Sequence, residues 1–201
     1  MKRILALTLA LITLVSLIGC KSSPEFKISR GTIDGNVYKN EVLGFEFTKP
    51  YSWVYSTDEE IADALDFAAD NLLDENFKEA LENNPSVYDM MVVDPYTGVN
   101  ISVLYENLKR SFSSNMTEEQ YVEVLKQQLE EMSSITVTFP KELYTAKLGN
   151  TEFKRCVCTA TVSGINLRQI YYLRNIGGYM ASVIVSMPSG YTVAEIEAMF
   201  K

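Results

Sequence analysis

From residue 35 onward apolar positions recur in two rhythms, one of period two and one near 3.6, and the switches between them divide the chain. Gly35-Asn36-Val37-Tyr38 reads as a turn leading into a strand. Leu43-Gly44-Phe45-Glu46-Phe47 alternates apolar and polar side chains until Pro50 stops it. The rhythm then becomes helical. Ile61, Leu65, Ala68 and Leu72 fall on one face of a helix predicted to start at Ser56, where the hydroxyl and Glu59 form a capping box. Phe77, Ala80 and Leu81 predict a short second helix.

Strands return at Val87–Val93 and Val99–Tyr105, joined by the turn Asp94-Pro95-Tyr96-Thr97-Gly98. In the second, Val99, Ile101, Val103 and Tyr105 share a face, and Asn100, Ser102 and Glu106 point the other way. Thr117 and Gln120 form another capping box. Met116 staples onto Tyr121, and the helix buries Tyr121, Leu125, Leu129 and Met132. Five strands are predicted next, at Ile135–Phe139, Leu143–Leu148, Phe153–Val162, Ile165–Arg174 and Tyr179–Ser186, with hairpin turns at Gly149-Asn150 and Gly177-Gly178. A last helix begins at Thr192, capped by Glu195, and presents Val193, Ile196 and Phe200. Short turns between strands mean antiparallel pairing, and helices gathered in blocks mean they cover the sheet. The expected fold class is α+β, an antiparallel sheet covered by helices.

The first nineteen residues follow neither rhythm. Lys2 and Arg3 precede an apolar run from Ile4 to Ile18, and the small Gly19 stands before Cys20. The run is interrupted by Thr8, Thr13 and Ser16 and is shorter than the roughly 20 apolar residues a spanning helix needs. Leu17-Ile18-Gly19-Cys20 resembles the lipobox of bacterial lipoproteins. That resemblance implies a diacylglyceryl group on the Cys20 sulfur and cleavage just before it, with two acyl chains holding the protein to a membrane. The expected organisation is a signal peptide over 1–19, the lipidated cysteine and a flexible tether over 20–34, and a single domain over 35–201. The expected location is the cell membrane, lipid-anchored on the extracytoplasmic face.

Gly44-Phe45-x-Phe47-x-x-Pro50-x-x-Trp53 resembles the opening of domains with the PsbP/Mog1-like α/β/α sandwich, in which a strand ending in proline leads to a tryptophan and then a helix. The later order of helix, hairpin, helix and antiparallel strands is similar too. With Tyr38 and Asn40, and behind a lipobox, the arrangement further resembles small extracytoplasmic lipoproteins of Gram-positive type. The resemblance implies a fold and carries no catalytic residue across.

Composition narrows the chemistry. There is no histidine, so Ser-His-Asp and Cys-His mechanisms and histidine-ligated zinc or haem are excluded in those forms. No phosphate-binding glycine loop or EF-hand loop is present, and no cofactor or metal is expected. The formal charge of −8 becomes −10 once Lys2 and Arg3 are removed, which disfavours nucleic acid as a partner. Cys156 and Cys158 point to one strand face and read as core.

Two surface patterns are candidates for function. Between Asp58 and Glu82 stand ten carboxylates and one base, Lys78. Glu59, Asp63, Asp66, Asp70 and Asp74 recur at helical spacing as one stripe, a candidate face for a basic protein or a divalent cation. Trp53 and the alternating Arg168, Tyr172 and Arg174 are a candidate ligand face, able to bind an anion or stack on a sugar. The leading expectation is a non-enzymatic, lipid-anchored domain that binds or scaffolds a partner. A small-solute or glycan-binding lipoprotein is the second reading, and a hydrolase acting through carboxylates alone the third.

Overall fold

A computed structural model describes residues 28–65, 74–131, 135–162, 165–188 and 190–201. The described chain is α+β and builds two antiparallel sheets with short helices around them. The small sheet has the order β1-β2-β3, formed by Thr32–Asp34, Val37–Asn40 and Phe45–Thr48. The large sheet runs β4-β5-β6-β11-β10-β9-β7, with β8 also pairing β9. Its strands are β4 (Val54–Tyr55), β5 (Ser86–Val93), β6 (Asn100–Asn107), β7 (Ile135–Thr138), β8 (Tyr144–Leu148), β9 (Thr151–Val162), β10 (Ile165–Ile176) and β11 (Tyr179–Met187).

Two-residue loops set much of the register. Ile176 pairs with Tyr179 across Gly177-Gly178, and Leu148 pairs with Thr151 across Gly149-Asn150. Strands β6 and β11 lie in the middle of the sheet and are buried along their whole length. The alternation in β6 predicted one face pointing away from the apolar one; Asn100, Ser102 and Glu106 do point away, yet they are as buried as Ile101, Val103 and Tyr105. Side-chain alternation marks the two faces of a strand, but it does not tell which faces are covered.

The helices are α1 (Asp58–Leu65), α2 (Asp74–Asn83), α3 (Leu108–Ser111), α4 (Glu118–Glu131) and α5 (Val193–Glu197). Helix α2 turns Phe77, Ala80 and Leu81 inward, with the Phe77 ring edge-on to Tyr105. Helix α4 packs Tyr121, Val122, Leu125 and Leu129 against the other face. Its cap is the expected one: Thr117 Oγ1 accepts from Gln120 N–H, and Gln120 Oε1 accepts from Thr117 N–H. The Thr192–Glu195 capping box of α5 also forms. Met132, Ala68 and Leu72 lie outside the described residues.

Two expectations need correction. The cap of α1 is Thr57 with Glu60, each side chain bonding the other's backbone N–H, one residue later than Ser56 with Glu59. Ser56 N–H is taken by Met91 C=O as the chain leaves β4, so Ser56 continues the edge pairing and the first free capping hydroxyl is that of Thr57. The folded domain also begins before residue 35. Ile28 is buried, β1 pairs with β2, and Gly31 N–H donates to the Asp89 carboxylate at 2.9 Å. Residues 28–34 read as tether because their polar side chains show no rhythm, whereas backbone and charge hold them in place.

The chain closes on its own beginning. Lys201 and Glu46 exchange backbone hydrogen bonds, and Phe200 sits between the rings of Phe45 and Phe47 at centroid distances of 5.2 and 5.0 Å. The small sheet and α5 thereby pack together on the face of the large sheet that carries Phe153 and Tyr172.

Candidate functional site

The predicted ligand residues do not form one open face. Trp53 is buried, its indole edge-on to the Tyr191 ring and its Nε1–H donating to Tyr191 Oη at 3.3 Å. It is a core residue that positions Tyr191. Tyr172 is fully buried and donates its hydroxyl to Glu197, which also pairs with Arg155 at 2.7 Å. Helix α5 therefore covers this part of the strand face, which the sequence alone leaves open to solvent. Arg174 is half-buried, and Arg168 alone of the set is exposed.

Arg168 stands at the rim of a cleft of about 250 Å³ at the end of the sheet where β9 finishes and β10 begins. Thr159, Asn166 and Arg168 line the strand side. Leu167, Met187, Pro188 and Tyr191 supply apolar and aromatic surface. Arg168 and Asn166 are two apart on β10 and so share a face. Asn166 Oδ1 is occupied by the Thr161 hydroxyl at 2.8 Å, which leaves its amide N–H groups to point elsewhere. Arg168 makes no ion pair among the described residues. A guanidinium and an amide NH₂, both donors, thus stand over an apolar floor. Such a set fits a ligand rich in acceptors, a carboxylate above all.

Three carboxylates are buried among the described residues, Asp89, Asp94 and Glu106, and of these Asp89 and Glu106 lie on opposite faces of the large sheet. Asp89 accepts hydrogen bonds from Tyr38 Oη at 2.6 Å, Asn40 Nδ2 at 2.9 Å and Gly31 N–H, with Arg30 Nε at 3.8 Å. Burial pushes its pKa up to about 6 against the opposing pull of those donors and of Arg30. Glu106 accepts from Tyr121 Oη at 2.7 Å, and burial raises it to about 7. The Tyr88 hydroxyl and Ser182 Oγ are buried without a partner among the described residues. Asp89 and Glu106 do not face each other, so they do not form the acid–base pair of a glycosidase. Burial lifts the thiols of Cys156 and Cys158 to about 11 and about 12, which keeps both as inert core groups.

The acidic stripe divides between two described helices. Glu59 and Asp63 are exposed on α1, Asp74 opens α2, and Asp66 and Asp70 lie outside the described residues. Asp58 is bound by the Arg30 guanidinium, which spans two of its nitrogens to the two carboxylate oxygens. Among the described residues no three carboxylate or thiol side chains converge as metal ligands would. Cys20 also lies outside the described residues.

Sequence reasoning missed Tyr191, which reaches the cleft through a contact with Trp53 across 138 residues. A tyrosine in a Pro-Ser-Gly-Tyr loop carries no periodic signal. Asp89 was equally hidden, although a carboxylate inside the apolar run Val87–Val93 is itself a mark of a buried polar network. No family model matches the chain, and no curated protein matches it.

Proposed function

We propose that the protein is a lipid-anchored extracytoplasmic binding domain that holds a small carboxylate-bearing ligand in the cleft at Arg168. The Leu17-Ile18-Gly19-Cys20 run supports the anchor. The observation that carries the binding reading is the exposed guanidinium with no ion-pair partner among the described residues, set beside a donor amide over apolar surface in a chain of net charge −8. Arg30 and Arg155, by contrast, are each held by a carboxylate. The proposed fold is the PsbP/Mog1-like sandwich, supported by the element order and by the buried Trp53 seated on Tyr191.

Titration with acetate, lactate and galacturonic acid, followed by amide chemical shifts, tests the reading. Resonances of 166–168 and 191 move, and ligand at about 100 times Kd stabilises the fold by about 2.7 kcal/mol. Arg168→Ala abolishes both effects. If no carboxylate perturbs the cleft, the binding reading fails. Mass spectrometry of the protein taken from membranes tests the anchor: an unmodified Cys20 or an intact leader overturns it.

A further inference from the structure

The cleft is small. At about 250 Å³ it falls below the range of about 300–1,000 Å³ that encloses a drug-sized ligand. It takes one ring-sized unit, and anything longer must continue over the rim. Outside the cleft lining, two tyrosines are strongly exposed. Tyr51 is 94% exposed and Tyr96 84%, the two most exposed large apolar side chains among the described residues.

Both stand at the same end of the large sheet as the cleft. Val54 pairs with Val93 where β4 meets β5; Tyr51 lies three residues before that pair and Tyr96 three residues after it. The Tyr96 turn packs directly on the cleft wall, since a Cβ at Gly190 would meet Thr97 at 3.4 Å and one at Gly98 would meet Pro188 at 3.5 Å. Tyr191 joins the two groups by seating on Trp53, two residues after Tyr51 in sequence.

These tyrosines are held on braced turns. The buried Asp94 carboxylate accepts from Tyr96 N–H at 3.0 Å and from Thr97 Oγ1 at 2.6 Å, and its backbone C=O takes Gly98 N–H at 2.9 Å. On the other side, Trp53 N–H bonds Pro50 C=O, and Lys49 Nζ donates to Trp53 C=O at 2.6 Å. A rigid aromatic ring loses little freedom when a ligand lies on it. Exposed tyrosine rings on braced backbone suit a partner having apolar C–H faces and polar edges, which is the character of a sugar ring.

We infer that this end of the protein binds an acidic glycan, with one uronic-acid-like unit in the cleft on Arg168 and neighbouring sugars stacked on Tyr96 and Tyr51. The inference rests on the proposed carboxylate site and names its ligand class. A membrane surface fits less well. Adsorption to anionic lipid takes clusters of about four to eight basic residues. This end offers Arg168 and Lys49, the latter already bonded to Trp53. The first described residues meet β5 at Asp89, in its middle, and the β1–β2 turn that follows lies against β4, where the Tyr55 hydroxyl donates to Asn36 C=O. The tyrosines are therefore not placed where the chain leaves for its anchor.

The test uses the mature protein in detergent and three probes: a galacturonate hexasaccharide, galacturonic acid, and the neutral hexasaccharide maltohexaose. The acidic hexasaccharide is expected to bind about tenfold more tightly than the monosaccharide. Tyr51→Ala and Tyr96→Ala each remove about threefold of that gain and leave monosaccharide affinity unchanged. Arg168→Ala abolishes binding of both acidic probes. Equal affinity for the acidic hexasaccharide and monosaccharide, unaltered in the tyrosine variants, overturns the glycan inference while the carboxylate site stands. Tight binding of maltohexaose that survives Arg168→Ala overturns both, as does the failure of all three probes.

Discussion

Glu106 and Asp89 show how environment decides what a carboxylate does. Each is buried on a sheet face, and each is held by tyrosine, yet their donors differ in number. Asp89 has three donors, Gly31 N–H, Tyr38 Oη and Asn40 Nδ2, so its charge is compensated when it forms. Glu106 has one, from Tyr121. The folded protein keeps the Glu106 proton up to about pH 7, whereas the ordinary value is 4.5. Below that ordinary value both states carry the proton; between the two values only the folded state does. Each rise in pH across that window therefore favours unfolding, and the contribution of neutral Glu106 is gone above about 7. Asp89 adds a slope of the same sign between 3.8 and about 6. Melting temperature should accordingly fall as pH rises from 5 to 8. Glu106→Gln, which keeps the Tyr121 bond, should flatten the part of that fall above pH 6 and leave the variant more stable than wild type at pH 8, by on the order of 3 kcal/mol. Calorimetry at pH 5, 6, 7 and 8 checks this; parallel curves for the two proteins would show that Glu106 is not the titrating group.

At the scale of elements, local signals that act within a few residues were legible and those that act at a distance were not. The hairpin glycines, the Thr117 and Thr192 caps and the strand rhythm of β9–β11 all state their structure in adjacent residues. Whether a face is covered depends on elements far away in sequence, which is why Tyr172 read as exposed until α5 came to lie on it. The same distance dependence governs Gly149. Its φ of +58° is one that a side chain tolerates at a cost of about 1–2 kcal/mol, and Gly35 at +56° carries the same strain. What separates them is surroundings. A Cβ at Gly35 meets nothing within 4 Å, while one at Gly149 would stand 2.2 Å from the Lys201 carbonyl oxygen. Gly35→Ala should lower the melting temperature by a few degrees, at about 2–4 °C per kcal/mol. Gly149→Ala should cost at least about twice as much, because the methyl must displace Lys201 from Glu46 and loosen Phe200 between Phe45 and Phe47. Equal losses for the two variants would mean that the C-terminal residues yield freely and do not stabilise the small sheet.

The whole molecule is fastened through its first described residues. Arg30 binds Asp58 at the start of α1 and approaches Asp89 in β5, while Gly31 bonds Asp89 and β1 completes the small sheet. One short segment thus ties together a helix and both sheets. Seven residues then separate Cys20 from Ile28, a span of at most about 28 Å, so under the proposed anchoring the domain stays close to the membrane. This placement was illegible in sequence, since the segment is fixed by charge and backbone rather than by apolar pattern. It also yields a sharp comparison. A chain beginning at Ile28 should melt with the same denaturant midpoint as the mature protein. A chain beginning at Gly35 loses the Gly31 donor and the Arg30 charge and leaves Asp89 buried with Tyr38 and Asn40 alone, a change expected to cost about 3–5 kcal/mol near neutral pH. Because Asp89 is neutral below about pH 6, that loss should shrink in acid, where no buried charge needs compensation. Urea titrations of the two chains at pH 5 and pH 8 separate the possibilities. A deficit that is the same at both values assigns the effect to β1 pairing and Ile28 burial, and a deficit confined to pH 8 assigns it to the carboxylate.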